Sequence, residues 1–253
     1  MLVYALWLST LGLISFLIGV AICRRFFSKY RAFYLYLTFL LMVGILRYYI
    51  YTVEPNEYLR TYWWTEFLIV SAGFCVIWEI FNHTLGLYPG VLKMARFLVS
   101  AAFVVVVGRA SVGAVGVQAS DFVRSVVRLE RNMITFQAVL LVLLVTLIVY
   151  YSIPLGRNLF GLLCGYCLSI GTSVILLTLQ SAFGPPMQPR LDQLRQVFSV
   201  VTVLVWVATL WRYQPMPTPD TATELEHDYM VLAQQTAQAI AKARAQIFRV
   251  FMP

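Results

Sequence analysis

The sequence predicts an all-α fold, a polytopic transmembrane helical bundle of seven spans with a cytoplasmic helix at its C-terminus. Three observations support this prediction. Of the 253 residues, 60% are hydrophobic and only 12% are charged, whereas soluble domains carry about 25% charged residues. A chain with so few charges cannot cover a water-exposed surface, but an apolar surface is stable in lipid. The apolar residues also group into seven long runs.

A helix needs about 20 apolar residues to cross the hydrocarbon core, because each residue adds about 1.5 Å. We predict spans at 2–22, 32–53, 62–85, 91–107, 132–153, 159–180 and 197–213. Proline ends several of them, as at Pro154 and Pro215. Tyrosines and tryptophans cluster near the predicted ends, as expected at the depth of lipid head groups. We therefore assign 1–213 to the membrane bundle and 214–253 to a proline-rich linker and amphipathic helix.

The lysine and arginine distribution predicts the orientation, because short basic loops stay in the cytoplasm. The loop after the second span contains the acidic residues Glu54 and Glu57. The loop after the first span has no acidic residue and four basic ones: Arg24, Arg25, Lys29 and Arg31. We therefore expect a multi-pass protein of the plasma membrane, with its N-terminus outside and its C-terminus in the cytoplasm.

The connection after the fourth span is unusually basic for a loop that this orientation places outside. Ser120 is a candidate N-cap for a helix within it, with Phe122 and Val126 on one face and Arg124 and Arg128 on another. These arginines are either a site for anions or head groups, or the charged side of an interfacial helix that continues into the fifth span. The pattern favours the second interpretation.

Few charged residues lie inside the predicted spans, where charge is costly and often functional. Arg47 in the second span and Glu66 in the third lie at similar depth and have opposite sign. We expect an ion pair between these adjacent antiparallel helices, with a structural role favoured over a ligand site.

A second polar group closes the third span. Glu79 and His83 are four residues apart and share a helix face, next to Asn82. A carboxylate that orients an imidazole can relay protons or bind a ligand. The favoured alternative places them at the inner interface, where Glu79 meets Arg31 or Arg96 and His83 reaches head groups.

Small residues recur every four positions in the sixth span, at Gly161, Gly165, Ser169 and Ser173. Such a stripe allows two helix backbones to approach closely. Packing inside the bundle is favoured over the alternative, the face of a homodimer.

Several function classes lack the residues that they need. The basic residues do not form one patch, so we expect no nucleic acid partner. His83 is the only histidine in a predicted span, which excludes a bis-histidine haem site, and Cys164 and Cys167 lie mid-span without a nearby histidine. We therefore expect no cofactor, no metal site and no catalytic residue, and a non-enzyme is favoured over an enzyme.

The tail predicts a helix over 221–251, with Thr221 and Glu224 spaced as in a capping box. We expect it to be solvated or to lie on the membrane surface, while binding to a second copy or to a partner in a membrane complex remains open. The segment around His227 and Asp228 resembles the phosphoacceptor helix of some bacterial histidine kinases, but the chain contains no ATP-binding domain.

The seven-span layout resembles the sensor regions of bacterial histidine kinases. The pattern Tyr-Trp-Trp-Thr-Glu at 62–66, followed by Trp-Glu-Ile-Phe-Asn-His at 78–83, is similar to uncharacterised bacterial integral membrane proteins. The resemblance implies a location in the bacterial inner membrane. We expect a non-enzymatic sensor, scaffold or complex subunit that acts through its cytoplasmic helix. The alternative is a small transporter or membrane enzyme that uses the Glu79/His83 face.

Overall fold

The computed structural model describes residues 2–55, 57–86, 88–114, 119–151, 153–183 and 187–212, together with positions 230, 231, 234 and 238 of the tail. Within these residues the chain forms long helices and no strand. The helices are α1 (Leu2–Cys23), α2 (Arg31–Val53), α3 (Tyr58–Thr84), α4 (Pro89–Ala114), α5 (Ala119–Tyr150), α6 (Arg157–Phe183) and α7 (Gln188–Leu210). A single 3₁₀ turn at Phe26–Ser28 connects α1 to α2.

The prediction of an all-helical fold with long apolar helices is confirmed within the described residues. By length and composition, six stretches in the described part of the chain suit a membrane span: Tyr4–Cys23, Arg31–Val53, Arg60–Thr84, Glu130–Tyr150, Arg157–Phe183 and Arg190–Leu210. The remaining long helix, α4, has 26 residues, which also suffices in length. Six or seven helices are therefore fit to cross a bilayer.

Several helices extend further than the apolar runs that predict them. The fifth run begins at Asn132, yet α5 begins at Ala119 and continues unbroken for 32 residues. From Ala119 onward, the connection after the fourth span is therefore continuous with the fifth span. Ser120 lies in the first turn of α5, so the prediction that it is the N-cap is wrong. Likewise α7 begins at Gln188 and α3 at Tyr58. Polar residues at head-group depth are compatible with a helix, so hydropathy marks the lipid-embedded part rather than the whole helix.

The side chains of Arg124 and Arg128 lie outside the described residues, as does most of the tail helix predicted over 221–251. The four described tail positions are helical.

The helices pack as a closed ring. Each helix of the ring contacts the next, in the order α1, α2, α3, α5, α6, α7 and back to α1. Helix α4 packs outside the ring against α3 and α5, and α3 also contacts α6 across the ring. The interior is filled by large side chains such as Phe33, Tyr166 and Trp206, of which Phe33 and Trp206 meet edge to face at 5.0 Å between ring centroids. Consecutive helices alternate in direction. We call the end where α1 ends and α2 begins the basic end, and the other the opposite end.

Candidate functional site

The five polar residues predicted inside the spans divide into two groups along α3. Glu66 lies near the start of α3 and Glu79 near its end. Thirteen residues of helix separate them by about 20 Å. The Arg47–Glu66 pair therefore lies toward the opposite end, and Glu79, Asn82 and His83 lie at the basic end, so the five do not form one site.

Toward the opposite end, Arg47 of α2 makes the ion pair expected from the sequence. Its Nη2 lies 2.8 Å from Oε2 of Glu66, and the exposed fractions of the two side chains are only 19% and 18%. The guanidinium also donates from Nε to the Thr65 hydroxyl at 2.8 Å and from Nη2 to the Tyr62 carbonyl at 3.2 Å. The Tyr62 ring lies 4.3 Å from the guanidinium carbon. These contacts hold α2 against α3.

Two further charges, which the sequence does not connect with this pair, join it from other helices. Arg195 of α7 donates to the Tyr62 hydroxyl at 3.3 Å. Glu130 of α5 is 94% buried by the fold, and its carboxylate interacts electrostatically with Glu66, Arg195 and Arg47. Two arginines and two glutamates thus balance each other across α2, α3, α5 and α7. The four residues belong to four different helices, so no spacing along the sequence predicts that they lie together.

At the basic end, Glu79 caps a neighbouring helix. Its Oε1 accepts the backbone N–H of Ala32 at 3.0 Å, and its Oε2 accepts that of Phe33 at 2.9 Å. Both donors belong to the first turn of α2, whose N–H groups have no partner within their own helix. The negative charge also lies at the positive end of the α2 dipole. Within the described residues, the expected contacts of Glu79 with Arg31 or Arg96 do not form: the carboxylate accepts from the backbone of α2, and Arg96 donates to Asn82.

His83 and Asn82 also have partners other than Glu79. His83 Nε2 lies 3.0 Å from the Lys29 carbonyl oxygen, and its ring packs on Tyr30 with centroids 5.0 Å apart. Asn82 Oδ1 accepts from Arg96 Nε at 2.9 Å, which joins α3 to α4. The less favoured interpretation, an imidazole oriented by Glu79, therefore does not match these contacts: the shared face exists, but each side chain contacts a different helix or loop.

A polar contact in the middle of the bundle was not predicted. Gln137 of α5 is fully buried and donates from Nε2 to the Val70 carbonyl of α3 at 2.7 Å. Gly73, one turn further along α3, leaves room for the Gln137 amide and for the Tyr166 hydroxyl, since a Cβ at position 73 would overlap both. In lipid such interhelical hydrogen bonds position helices relative to each other. The acceptor is a backbone carbonyl, which every residue has, so the sequence does not predict this contact.

The small-residue stripe of α6 faces α7 over its first half. A Cβ on Gly161 would overlap the Thr209 side chain, and one on Gly165 would overlap the indole of Trp206. Further along the stripe, the Ser173 hydroxyl donates to the Ser169 carbonyl of its own helix at 2.9 Å. Gly161 and Gly165 therefore serve packing inside the bundle.

The end of α7 is held by side chains from α6. Asn158 Nδ2 donates to the Thr209 carbonyl at 3.2 Å and to the Arg212 carbonyl at 2.7 Å, and Arg157 Nη2 donates to the Ala208 carbonyl at 3.3 Å. The last carbonyls of a helix lack partners within it. Two side chains of α6 thus satisfy two of these groups, at Ala208 and Thr209, and the Arg212 carbonyl just beyond the helix.

A third side chain reaches the same helix end from the residue that directly follows α1. Arg24 Nη1 donates to the Trp211 carbonyl at 2.6 Å, and its guanidinium carbon lies 5.4 Å from the centre of the Trp211 ring. Phe16 stacks on that ring at 5.6 Å. We call Arg24, Arg157 and Asn158 together the α7 clasp, because they fasten the end of α7 to its two neighbours.

The chemistry available in the described residues is one of charge balance, capping and packing. No three histidine, cysteine, aspartate or glutamate side chains are grouped there so as to hold a metal ion. The four cysteines are free thiols. Comparisons with protein-family models, with curated proteins and with solved structures find no match to this chain. The geometry of the bundle is therefore the basis for assigning a function.

Proposed function

We propose that the protein is a seven-span inner-membrane protein, with its N-terminus outside and its C-terminus in the cytoplasm. It acts as a non-enzymatic sensor, scaffold or complex subunit through its cytoplasmic tail. The observation that carries this proposal is the α7 clasp. The tail follows directly from α7, and the clasp ties the end of α7 to α1 and α6. A displacement of either helix within the bundle is therefore passed on to the start of the tail.

The polar residues of the spans support a non-enzymatic role. Glu79 is occupied by two backbone N–H groups, and Arg47 and Glu66 neutralise each other. A catalytic acid or base needs to reach a substrate proton. These side chains instead connect helices. The alternative, a transporter or membrane enzyme that uses the Glu79/His83 face, is supported by one observation, since both residues line a groove between α2, α3 and α4.

The orientation and the seven-span count rest on loop charge and helix length. The basic end carries the short loop from Arg24 to Arg31, and α4 is long enough to be the seventh span. Reporters that are active only outside the cytoplasm test both points. A fusion after Val53 should be active, and a fusion after Leu210 should be inactive. The opposite pattern, or two active fusions, would refute the topology.

Complementation of a deletion strain tests the function. We expect that removal of 221–253 abolishes complementation while thermal unfolding of the membrane bundle is unchanged. The clasp variant Asn158→Ala should weaken complementation with the tail intact, because two carbonyls at the end of α7 lose their donor. Asn132→Ala, an exposed asparagine on α5, is the matched control.

The alternative function predicts a different outcome. If His83→Ala abolishes complementation while the tail deletion complements fully, the protein acts through the Glu79/His83 face and the sensor proposal is wrong.

A further inference from the structure

A groove with a volume of about 890 Å³ runs along the outside of the ring, where α2, α3 and α4 meet. This volume lies in the range of about 300–1,000 Å³ that is usual for small-molecule sites. Several lining side chains are exposed to the surroundings of the bundle, including Leu35, Trp78 and Phe103, of which Leu35 is 58% exposed. In a membrane-spanning bundle this open side faces the lipid, so a ligand can enter sideways from the bilayer.

The length of the groove corresponds to one leaflet. Its α2 wall runs from Arg31 to Phe39, and its α3 wall from Ala72 to His83. At 1.5 Å per residue these walls are about 12 and about 16 Å long. The hydrocarbon core is about 30 Å thick. The groove therefore extends from the interface at the basic end to about the middle of the bilayer.

The two ends of the groove differ in chemistry. The deep end is lined by apolar and aromatic side chains, among them Phe39, Phe74, Val99 and Phe103. It offers no charge to a bound molecule, and the polar groups of its lining are small and neutral: the Cys75 thiol and the Ser100 hydroxyl. An extended hydrocarbon chain is the ligand that such a surface fits.

The basic end of the groove presents positive charge. Arg31 lines it, is exposed, and makes no side-chain hydrogen bond or ion pair within the described residues. The one carboxylate in the lining, Glu79, is engaged by the N–H groups of Ala32 and Phe33. A phosphate that reaches the basic end of the groove therefore meets the Arg31 guanidinium.

We propose that this groove binds a phospholipid with an anionic head group, drawn from the leaflet at the basic end. One acyl chain lies along α2 and α3, and the phosphate is bound by Arg31. The proposal is independent of the sensor role, because it concerns what occupies the groove and not what the tail does.

Native mass spectrometry of the full chain in mild detergent tests it, with phosphatidylglycerol and phosphatidylcholine of identical acyl chains added in equal amounts. The wild-type protein should retain phosphatidylglycerol preferentially. Arg31→Gln should lower the ratio of retained phosphatidylglycerol to phosphatidylcholine about five-fold, since one basic side chain at the interface contributes on this scale. Lys93→Gln removes an equal charge from the same end of the bundle without lining the groove, and should change the ratio less than about two-fold.

A second pair of variants tests the groove itself. Ser100→Phe fills it from α4 and should abolish retention of both lipids, whereas Thr146→Phe adds the same ring to an exposed site on α5 and should not. Thermal unfolding identifies a folded variant, and Ser100→Leu replaces Ser100→Phe if the latter unfolds.

Four results would overturn the proposal. Lys93→Gln could lower the ratio as much as Arg31→Gln, which indicates general surface attraction. Lipid retention could persist in folded Ser100→Phe. A neutral quinone could displace phosphatidylglycerol at equal concentration, which indicates a ligand without charge. Deletion of 221–253 could raise lipid retention, which indicates that the tail occupies the groove.

Discussion

Replacing Glu79 with alanine should destabilise the protein by removing the cap of α2. The carboxylate accepts two backbone N–H groups of the first turn, at 3.0 and 2.9 Å. Hydrogen bonds to a charged group contribute about 1.5–3 kcal/mol each. Because Glu79 is half-buried, the lower value applies, and the two bonds together give about 3 kcal/mol. For a chain of this size that loss lowers Tm by about 6–12 °C.

Glu79→Gln should have about half this effect, because the amide keeps one accepting oxygen and presents an NH₂ group to the other backbone donor. Glu54→Ala removes an exposed acid from the loop after α2 and is the control, with a change within about 0.5 kcal/mol. Thermal unfolding in detergent, followed by near-ultraviolet circular dichroism, measures all three variants.

A Glu79→Ala variant with wild-type Tm would show that the carboxylate does not stabilise the start of α2. If that variant also loses function, the carboxylate serves chemistry rather than capping, and the membrane-enzyme or transporter alternative gains its support.

Three further predictions concern the contacts between helices and use the same unfolding assay. Gly165→Ala should cost about 1–3 kcal/mol by overlap with the α7 indole, whereas Gly171→Ala, with open space on the same helix, should be neutral or stabilising by up to about 1 kcal/mol. Arg47→Met should cost about 3 kcal/mol by removing the hydrogen-bonded ion-pair partner of Glu66, and adding Glu66→Gln should restore part of the loss. Gln137→Leu should cost about 0.6–1.7 kcal/mol through loss of one interhelical hydrogen bond.

Each prediction has a result that contradicts it. Equal Tm values for Gly165→Ala and Gly171→Ala would mean that α6 and α7 do not approach closely. If the double variant at positions 47 and 66 is less stable than Arg47→Met, Arg47 is not the main partner of Glu66. An unchanged Tm for Gln137→Leu would mean that the amide does not bridge α3 and α5 in the membrane.

Polar and charged side chains connect the helices at each of the two ends of the bundle. Toward the opposite end, Arg47, Glu66, Glu130 and Arg195 come from four different helices and balance each other. At the basic end, the α7 clasp and Glu79 fasten helix termini. Lipid forms no hydrogen bonds, so these contacts supply partners to helix ends and charged side chains that would otherwise lack them. Their positions near the interfaces leave the middle of the bundle to packing and to Gln137.

The class of fold and the approximate positions of the helices follow from the amino-acid sequence alone. Apolar runs of about 20 residues are a local property, because each stretch must cross the hydrocarbon core independently of its neighbours. The same local reasoning placed Arg47 and Glu66 together, since they lie at equal depth on consecutive antiparallel helices.

The contacts between side chains of different helices depend on the packing of the whole bundle. Glu79 and His83 share a helix face, but the ring order and the rotation of each helix direct Glu79 to the start of α2 and His83 to the loop before it. Arg195 and Glu130 lie far apart in the chain, in segments that hydropathy assigns to connections, and the packing of α5 and α7 brings them to Tyr62 and Glu66. A helical period of 3.6 residues specifies the face of one helix. The partner of that face depends on how all the helices pack, which no local pattern contains.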